Sequence, residues 1–289
     1  MDTIAVILNN KARNHSAASP YLQGLHDAEI AYHLYDKAPE ELSETIKECI
    51  KTYKIILVGG GDGTIRTAAH HCAHTPIILG VLPLGTLNHF AKEMGLPMSV
   101  NEFVTCLKEQ QTSTIDVAKV NDFIFINNSS IGFYPKFADK RDQYSKYYNK
   151  WLSYIPGFLG SIKKHKSFNL IIKSKNRQLS LHTSFLMVSN NVYTYEFPIA
   201  IKRDSFQKAL LGIYYFKQGK IRIFKLIKRL FSNKNLLEIS HSTHPIEVHF
   251  PDEKNVTISL DGETVQVKTP LYYEILPGSL TLLMSPLCE

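Results

Sequence analysis

The stretch Gly59-Gly60-Gly61-Asp62-Gly63-Thr64 constrains the fold more than any other, because it follows a strand with no spacer. Lys54 to Val58 is a short apolar run of the kind buried in a sheet. Glycines at four of the next six positions let the chain turn tightly without Cβ clashes. Ile65 to Cys72 then reads as a helix. Loop N–H groups and a helix N-terminus near Thr64 therefore point at one place, which suits an anion. Thr64 either caps that helix or offers its hydroxyl to phosphate. Asp62 sits badly beside phosphate unless it holds a metal, the turn itself or a sugar hydroxyl. The plain alternative is a structural turn. The stretch is neither a P-loop, which ends in Gly-Lys-Ser/Thr, nor a G-x-G-x-x-G dinucleotide fingerprint.

A second loop has the same placement. Ile77 to Leu82 reads as a strand ended by Pro83, and Gly85-Thr86-Leu87-Asn88 leads into a helix over Asn88 to Met94. Two polar, glycine-bearing loops on one sheet edge make one crevice. Around them, Ile4 to Leu8 is a strand and Asn9 to Ser19 polar loop. Asp27 to Tyr35 reads as either strand or helix. Glu40 to Lys51 is a helix opened by Pro39, with Leu42, Ile46 and Ile50 on one face, and Val100 to Leu107 is another. Strands alternating with helices predict a doubly wound, Rossmann-like parallel α/β domain.

After Ile115 the texture turns to β. Ile115 to Val120 and Phe123 to Asn127 pair across Asn121-Asp122. Further runs follow at Phe168 to Ile172, Thr183 to Val188, Leu210 to Tyr215, Leu236 to Ser240, Ile246 to Phe250, Val256 to Leu260 and Val265 to Lys268. Their spacing predicts an all-β antiparallel sandwich. Tyr134 to Ile155 is aromatic and polar with a helix in it; Tyr147, Tyr148, Trp151 and Tyr154 either pack a core or line a substrate entrance. Tyr272 to Met284 is apolar and interrupted by Pro277-Gly278. The expected domains are 1–125, 126–270, and a segment 271–289.

The 289 residues carry a net charge of +7 and a pI near 9.0, which favours anionic partners: nucleic acid, an anionic membrane or a nucleotide. No zinc finger or nucleic-acid recognition motif accompanies the charge, so nucleic acid is not expected. The four cysteines form no close pair, which argues against a zinc site or a disulfide framework. No signal peptide opens the chain and no apolar stretch spans a bilayer, so a cytoplasmic protein is expected, with any membrane contact peripheral on the inner face. Lys220 to Lys234 places Ile223, Ile227, Leu230 and Phe231 on one helical face and Arg222, Lys225 and Arg229 elsewhere. Such a helix either lies on an anionic bilayer or packs its stripe on the sandwich. Lys163-Lys164-His165-Lys166 either adds to that field or is a solvated loop. Oligomeric state, a homodimer included, is open.

Taken together these motifs resemble the diacylglycerol kinase catalytic-domain superfamily, in particular the bacterial soluble lipid kinases, which are similar to sphingosine and ceramide kinases. Gly60 to Thr64 resembles its nucleotide loop and Gly85 to Lys92 its second signature. Leu96-Pro97, Ile115-Asp116, Asn127 to Gly132 and Asp261-Gly262-Glu263 follow in order. The resemblance implies an ATP- and Mg²⁺-dependent transfer of the γ-phosphoryl to a lipid hydroxyl: diacylglycerol, a sphingoid base or ceramide. It implies that segment 271–289 returns to the N-terminal domain. It gives Asp261 the role of general base with Glu263 as its partner, and Asp62 a place in the nucleotide or Mg²⁺ network. Asn9, Asn10, Gly60, Gly61, Asp62, Gly63, Thr64, Gly85, Thr86 and Asn88 become the nucleotide-binding set. Without the resemblance, Asp261-Gly262 reads only as a hairpin turn.

Three departures stand out. His89 replaces a common Asp, and Lys92 replaces an Arg, losing the bidentate fork. Phe206 to Gly212 lacks the acidic residues with which relatives hold a structural Mg²⁺, so no structural metal is expected; Asp204 nearby is a single carboxylate. NAD kinases share the Gly-Gly-Asp-Gly-Thr loop, but Leu84 to Lys92 favours the lipid branch. A catalytically impaired lipid-binding module is the alternative from a different class.

Overall fold

The computed structural model describes residues 2–132, 167–175, 177–196, 200–203, 205–216 and 238–284. The aromatic stretch 134–155, the basic run 163–166, Asp204, the basic helix 220–234 and Cys288 lie outside the described residues. The chain divides into two compact units, Met1–Val117 with Leu276–Glu289, and Ala118–Ile275. No helix among the described residues is long and apolar enough to cross a membrane.

The first unit is built from β1 (Ile4–Asn9), α1 (Ser19–Asp27), β2 (Tyr32–Lys37), α2 (Pro39–Thr52), β3 (Ile55–Gly60), α3 (Asp62–Cys72), β4 (Ile78–Pro83), α4 (His89–Met94) and α5 (Val100–Lys108). Its strands run parallel in the order β2-β1-β3-β4, and Thr281 and Leu282 add a further parallel partner to β4. Buried on both faces, β1 and β3 are continuous apolar runs. Helix α2 opens on Pro39 with Glu40 and Glu41 in its first turn and Lys51 in its last, which complements the helix dipole. Leu42, Ile46 and Cys49 face inward, whereas Ile50, expected on that face, is half-buried. Helix α5 starts on a capping box between Ser99 and Glu102.

Helix α1 overturns the expected loop over Asn9 to Ser19 at its end and settles the ambiguous stretch that follows: the helix stops at Asp27 and a strand begins at Tyr32. Only Tyr21 and Leu25 are fully buried on α1, so its apolar period is faint. Gly24, at its centre, disfavours helix by about 1 kcal/mol relative to Ala. A Cβ there would stand 2.5 Å from Val100 Cγ1, so the glycine lets α1 lie against α5.

On α3, burial with added like charge from His70 and Lys47 pushes His71 down to about 4 from an ordinary value of 6.5, and its Nε2 meets Ser43 Oγ at 2.8 Å. The folded state thus binds this proton more weakly than the unfolded chain. Its contribution is complete above about pH 6.5 and is lost as pH falls towards 4. We expect His71→Gln to lose less stability than the wild type between about pH 7 and about pH 5, read as the shift of the urea midpoint. Parallel losses would rule out this origin of the acid sensitivity.

The second unit holds β6 (Phe123–Phe125), which pairs with the end of β5 (Thr112–Val120), then β7 (Asn128–Gly132), β8 (Phe168–Ser174), β9 (Arg177–Thr183), β10 (Phe185–Asn190), β11 (Tyr193–Glu196), β12 (Ala200–Arg203), β13 (Leu211–Tyr215), β14 (Glu238–Ser242), β15 (Ile246–His249), β16 (Asn255–Leu260) and β17 (Glu263–Lys268). The long β18 (Leu271–Leu283) begins here, through Leu271 to Tyr273, and ends in the first unit. One antiparallel sheet runs β14-β13-β10-β7-β16-β17 and another β18-β15-β8-β9. Ile131, Val188 and Ile258 of the first pack with Leu170, Val248 and Tyr273 of the second, which makes a sandwich. Tyr273 is fully buried, its hydroxyl 3.0 Å from Ser129 Oγ, and burial raises its phenol well above the usual range.

Pro277-Gly278 does not break the tail. Both residues are exposed, Gly278 takes φ +54°, and its N–H donates to the buried Asp116 carboxylate at 2.9 Å, so β18 continues through them. Strand β9 was not expected: as an exposed edge strand it has almost no apolar face to alternate. The short ribbon of β11 and β12 was not expected either.

Candidate active site

In the first unit the two glycine loops touch. Gly59 and Gly60 belong to β3, and α3 begins at Asp62 rather than near Thr64. None of Gly59, Gly60, Gly61 and Gly63 has a positive φ, so the passage from β3 to α3 uses no left-handed backbone. The glycines are required by proximity instead. A Cβ on Gly60 would stand 2.5 Å from Thr64 Cβ, and one on Gly85 would stand 2.6 Å from the Cα of Gly61.

Hydrogen bonds lock this contact. Leu84 N donates to Gly60 O at 3.0 Å. Asn88, in the left-handed region at φ +49°, accepts from Gly85 N at 2.8 Å and donates to Pro83 O and Gly85 O at 2.9 and 3.0 Å. Asp62 accepts from the N–H groups of His89 and Phe90 at 3.3 and 3.2 Å, so its carboxylate ties the first loop to α4. Lys92 Nζ donates to Leu87 O at 2.6 Å, a single contact that needs no guanidinium fork. Asn9 Nδ2 donates to Thr64 Oγ1 at 2.9 Å. Asn10 is exposed, with its N–H on Lys37 O at 2.9 Å, and Thr86 is exposed on the second loop. Sequence reasoning missed Asn14, whose Nδ2 donates to Gly85 O at 2.9 Å and whose N–H donates to Leu84 O at 3.1 Å. This set is one cradle: the N-terminus of eleven-residue α3, where Gly61, Asp62 and Gly63 are half-buried, lies against the second loop, which leaves Thr86 exposed; Thr64 is buried beneath it.

In the second unit Asp261-Gly262 forms a two-residue hairpin turn, with φ +49° and +96° and Leu260 opposite Glu263. Both values fit a type I′ turn. The Asp261 side chain does more than turn the chain. It accepts from the N–H groups of Ile126, Asn127 and Asn128 at 2.9, 2.8 and 3.0 Å. The carbonyls of the same segment are held from the other side: Asn190 Nδ2 donates to Ile126 O at 3.0 Å, and buried Arg203 donates to Ile126 O at 3.3 Å and to the hydroxyl of Tyr193. Asn190, Arg203 and Tyr193 were not anticipated, because nothing local marks them. Glu263 is exposed at the start of β17. Ahead of β13, Asn191 Oδ1 accepts from Lys208 N and Leu210 N at 3.1 and 3.3 Å, so an amide organises the stretch Phe206 to Gly212.

Residues 3–120 match the diacylglycerol kinase catalytic domain. A protein of Staphylococcus carnosus named "Putative lipid kinase" is 28% identical over 240 residues, covering 80% of this chain and 77% of its own length. A Staphylococcus aureus protein of the same name is 25% identical over 273 residues, covering 88% and 87%. The fold is similar to the crystal structure of "a putative diacylglycerol kinase" from Bacillus anthracis, with a TM-score of 0.77 and 22% identity over 98% of both chains. The fold is thus of the diacylglycerol kinase type. Residues 3–120 are similar to the catalytic domain of diacylglycerol kinases, and the relatives that match most of the chain are named "Putative lipid kinase".

Proposed function

We propose that this protein transfers the γ-phosphoryl of ATP to the hydroxyl of a lipid of the diacylglycerol class. The cradle formed where Gly61 meets Gly85 at the head of α3 carries this reading. Its N–H donors suit the phosphates, with Thr64, Thr86 and Asn9 adding polar contacts. Asn88, Asn14 and Asp62 act on the nucleotide indirectly, by holding the two loops at contact distance. No group of three or more metal-ligating side chains occurs among the described residues. Mg²⁺ would arrive with the nucleotide, and Asp62, besides tying the loops together, is the cradle's carboxylate that could hold it. There the ion would neutralise charge on the phosphate oxygens.

The resemblance gives Asp261 the proton-accepting role. Its three backbone N–H partners favour a positioning role instead, with the exposed Glu263, two residues on, as the general base that orients and deprotonates the lipid hydroxyl. ATP as donor and a lipid as acceptor go together with a cytoplasmic location and peripheral membrane contact. The test is to incubate the purified chain with labelled ATP, Mg²⁺ and a panel of diacylglycerol, ceramide, sphingoid base and NAD. We expect a phosphorylated lipid by mass spectrometry. Phosphorylated NAD, or no phosphorylated lipid, would overturn the proposal.

A further inference from the structure

The sandwich unit has an open cleft of about 680 Å³ where the ends of its two sheets part. That volume lies within the usual range for ligand sites. Its floor is apolar: Ile172, Ile213 and Ile246, with Leu179 left 39% exposed on edge strand β9. Its rim is basic: Lys175, Arg177, His241 and His244. Among the described residues no Asp or Glu lines it, and neither Lys175 nor Arg177 meets a carboxylate. Lys175 Nζ instead stands 3.5 Å from His244 Nε2, so two nitrogen groups converge with no acid between them. Ser174 and Ser242, 3.2 Å apart through their hydroxyls, supply neutral polar groups at the same end.

An apolar floor and a cationic rim together suit an amphiphile with an anionic head. The cleft is not the hairpin that carries Asp261. Strand β14 lies at one edge of its sheet, and β16, which ends at Asp261, is four strands away in the order β14-β13-β10-β7-β16. At about 4.8 Å per strand this is roughly 19 Å.

We propose that this cleft is an accessory docking site for an anionic phospholipid of a bilayer, with the lipid phosphate held by Lys175 and Arg177 and one acyl chain laid over Leu179 and the three isoleucines. The inference does not depend on the kinase reading. It gives the sandwich unit a means of sensing membrane charge at a place separate from Asp261 and Glu263.

The test is flotation of the full chain with vesicles of phosphatidylcholine alone and of phosphatidylcholine mixed with phosphatidylglycerol. The wild type is expected on the mixed vesicles only, and less so as salt rises. The double variant Lys175→Glu/Arg177→Glu is expected to bind them more than tenfold more weakly. Lys51→Glu/Lys108→Glu changes net charge equally at exposed sites of the first unit and is expected to leave binding within twofold of wild type. Leu179→Asp, at an exposed position, tests the acyl floor and is also expected to weaken binding. Equal loss in both charge variants would mean a diffuse field and overturn the site. Loss on charge reversal with none in Leu179→Asp would mean an acidic partner without an acyl chain, and would overturn it too. Turnover of a short-chain, detergent-dispersed diacylglycerol is expected to be unchanged in all three variants, which separates this site from the phosphoryl-transfer residues.

Discussion

Gly85→Ala is expected to weaken ATP binding by more than tenfold and to lower the stability of the first unit by about 1–3 kcal/mol, the usual cost of forcing an extra methyl into a packed site. The new Cβ would stand 2.6 Å from the Cα of Gly61 and 2.6 Å from Asn88 Oδ1. A flexible side chain can swing away from such a contact, but the Gly61 backbone cannot. It is the N-cap of α3 and its carbonyl accepts the first helical N–H, from Ile65, at 3.1 Å. The loops must therefore part, and Asn88 must give up the bonds that shape Gly85. Gly61→Ala is the matched control. Its Cβ would lie 3.6 Å from the Cα of Gly85, an ordinary contact, in an extended backbone that any residue adopts. We expect Gly61→Ala to keep the wild-type urea midpoint. Calorimetric titration with Mg²⁺-ATP and urea unfolding read both outcomes. Undiminished ATP affinity in Gly85→Ala would sink the view that contact between the two loops makes the nucleotide cradle.

The contrast between these glycines marks how far the sequence could be read. That a glycine-rich stretch leaves a strand and enters a helix was legible, because Ile55 to Val58 is buried on both faces and cannot be mistaken for a surface strand. The reason for the glycines was not legible. A run of glycines suggests a tight local turn, yet what they also provide is the close approach of the second loop at Gly85. Long-range partners explain the other misses as well. Asn14 reaches Gly85, Asn190 reaches Ile126, and Asp261 reaches Ile126 to Asn128; each is an ordinary polar residue in its own stretch. The hairpin at Asp261-Gly262 was readable from the dipeptide alone, while the side chain's grip on the segment before β7 needed the sheet that brings β16 against β7. Helix α1 and strand β9 were lost for the opposite reason: each buries too little for its period to rise above the polar residues around it.

That grip makes Asp261→Asn and Glu263→Gln separable. Asp261 Oδ1 accepts from Asn127 and Asn128, and Oδ2 accepts from Ile126. An asparagine keeps one acceptor and puts an NH₂ in place of the other, so in either orientation at least one backbone N–H faces a donor. Leaving such a group unsatisfied costs about 1–3 kcal/mol. The segment 126–128 would loosen even though Arg203 and Asn190 still hold its carbonyls. We therefore expect Asp261→Asn to lower both the urea midpoint and turnover, and Asp261→Glu to restore neither, since the longer side chain cannot seat its two oxygens in the same turn. Glu263 is exposed, and removing its charge is expected to leave the midpoint within the ±0.5 kcal/mol usual for surface changes. If Glu263 is the general base, Glu263→Gln loses on the order of 10²–10⁴-fold in kcat with KM for ATP little changed. The reverse pattern, a stable and inactive Asp261→Asn beside an active Glu263→Gln, would return the proton-accepting role to Asp261 and leave the hairpin contact to segment 126–128 as a consequence of its position rather than its purpose.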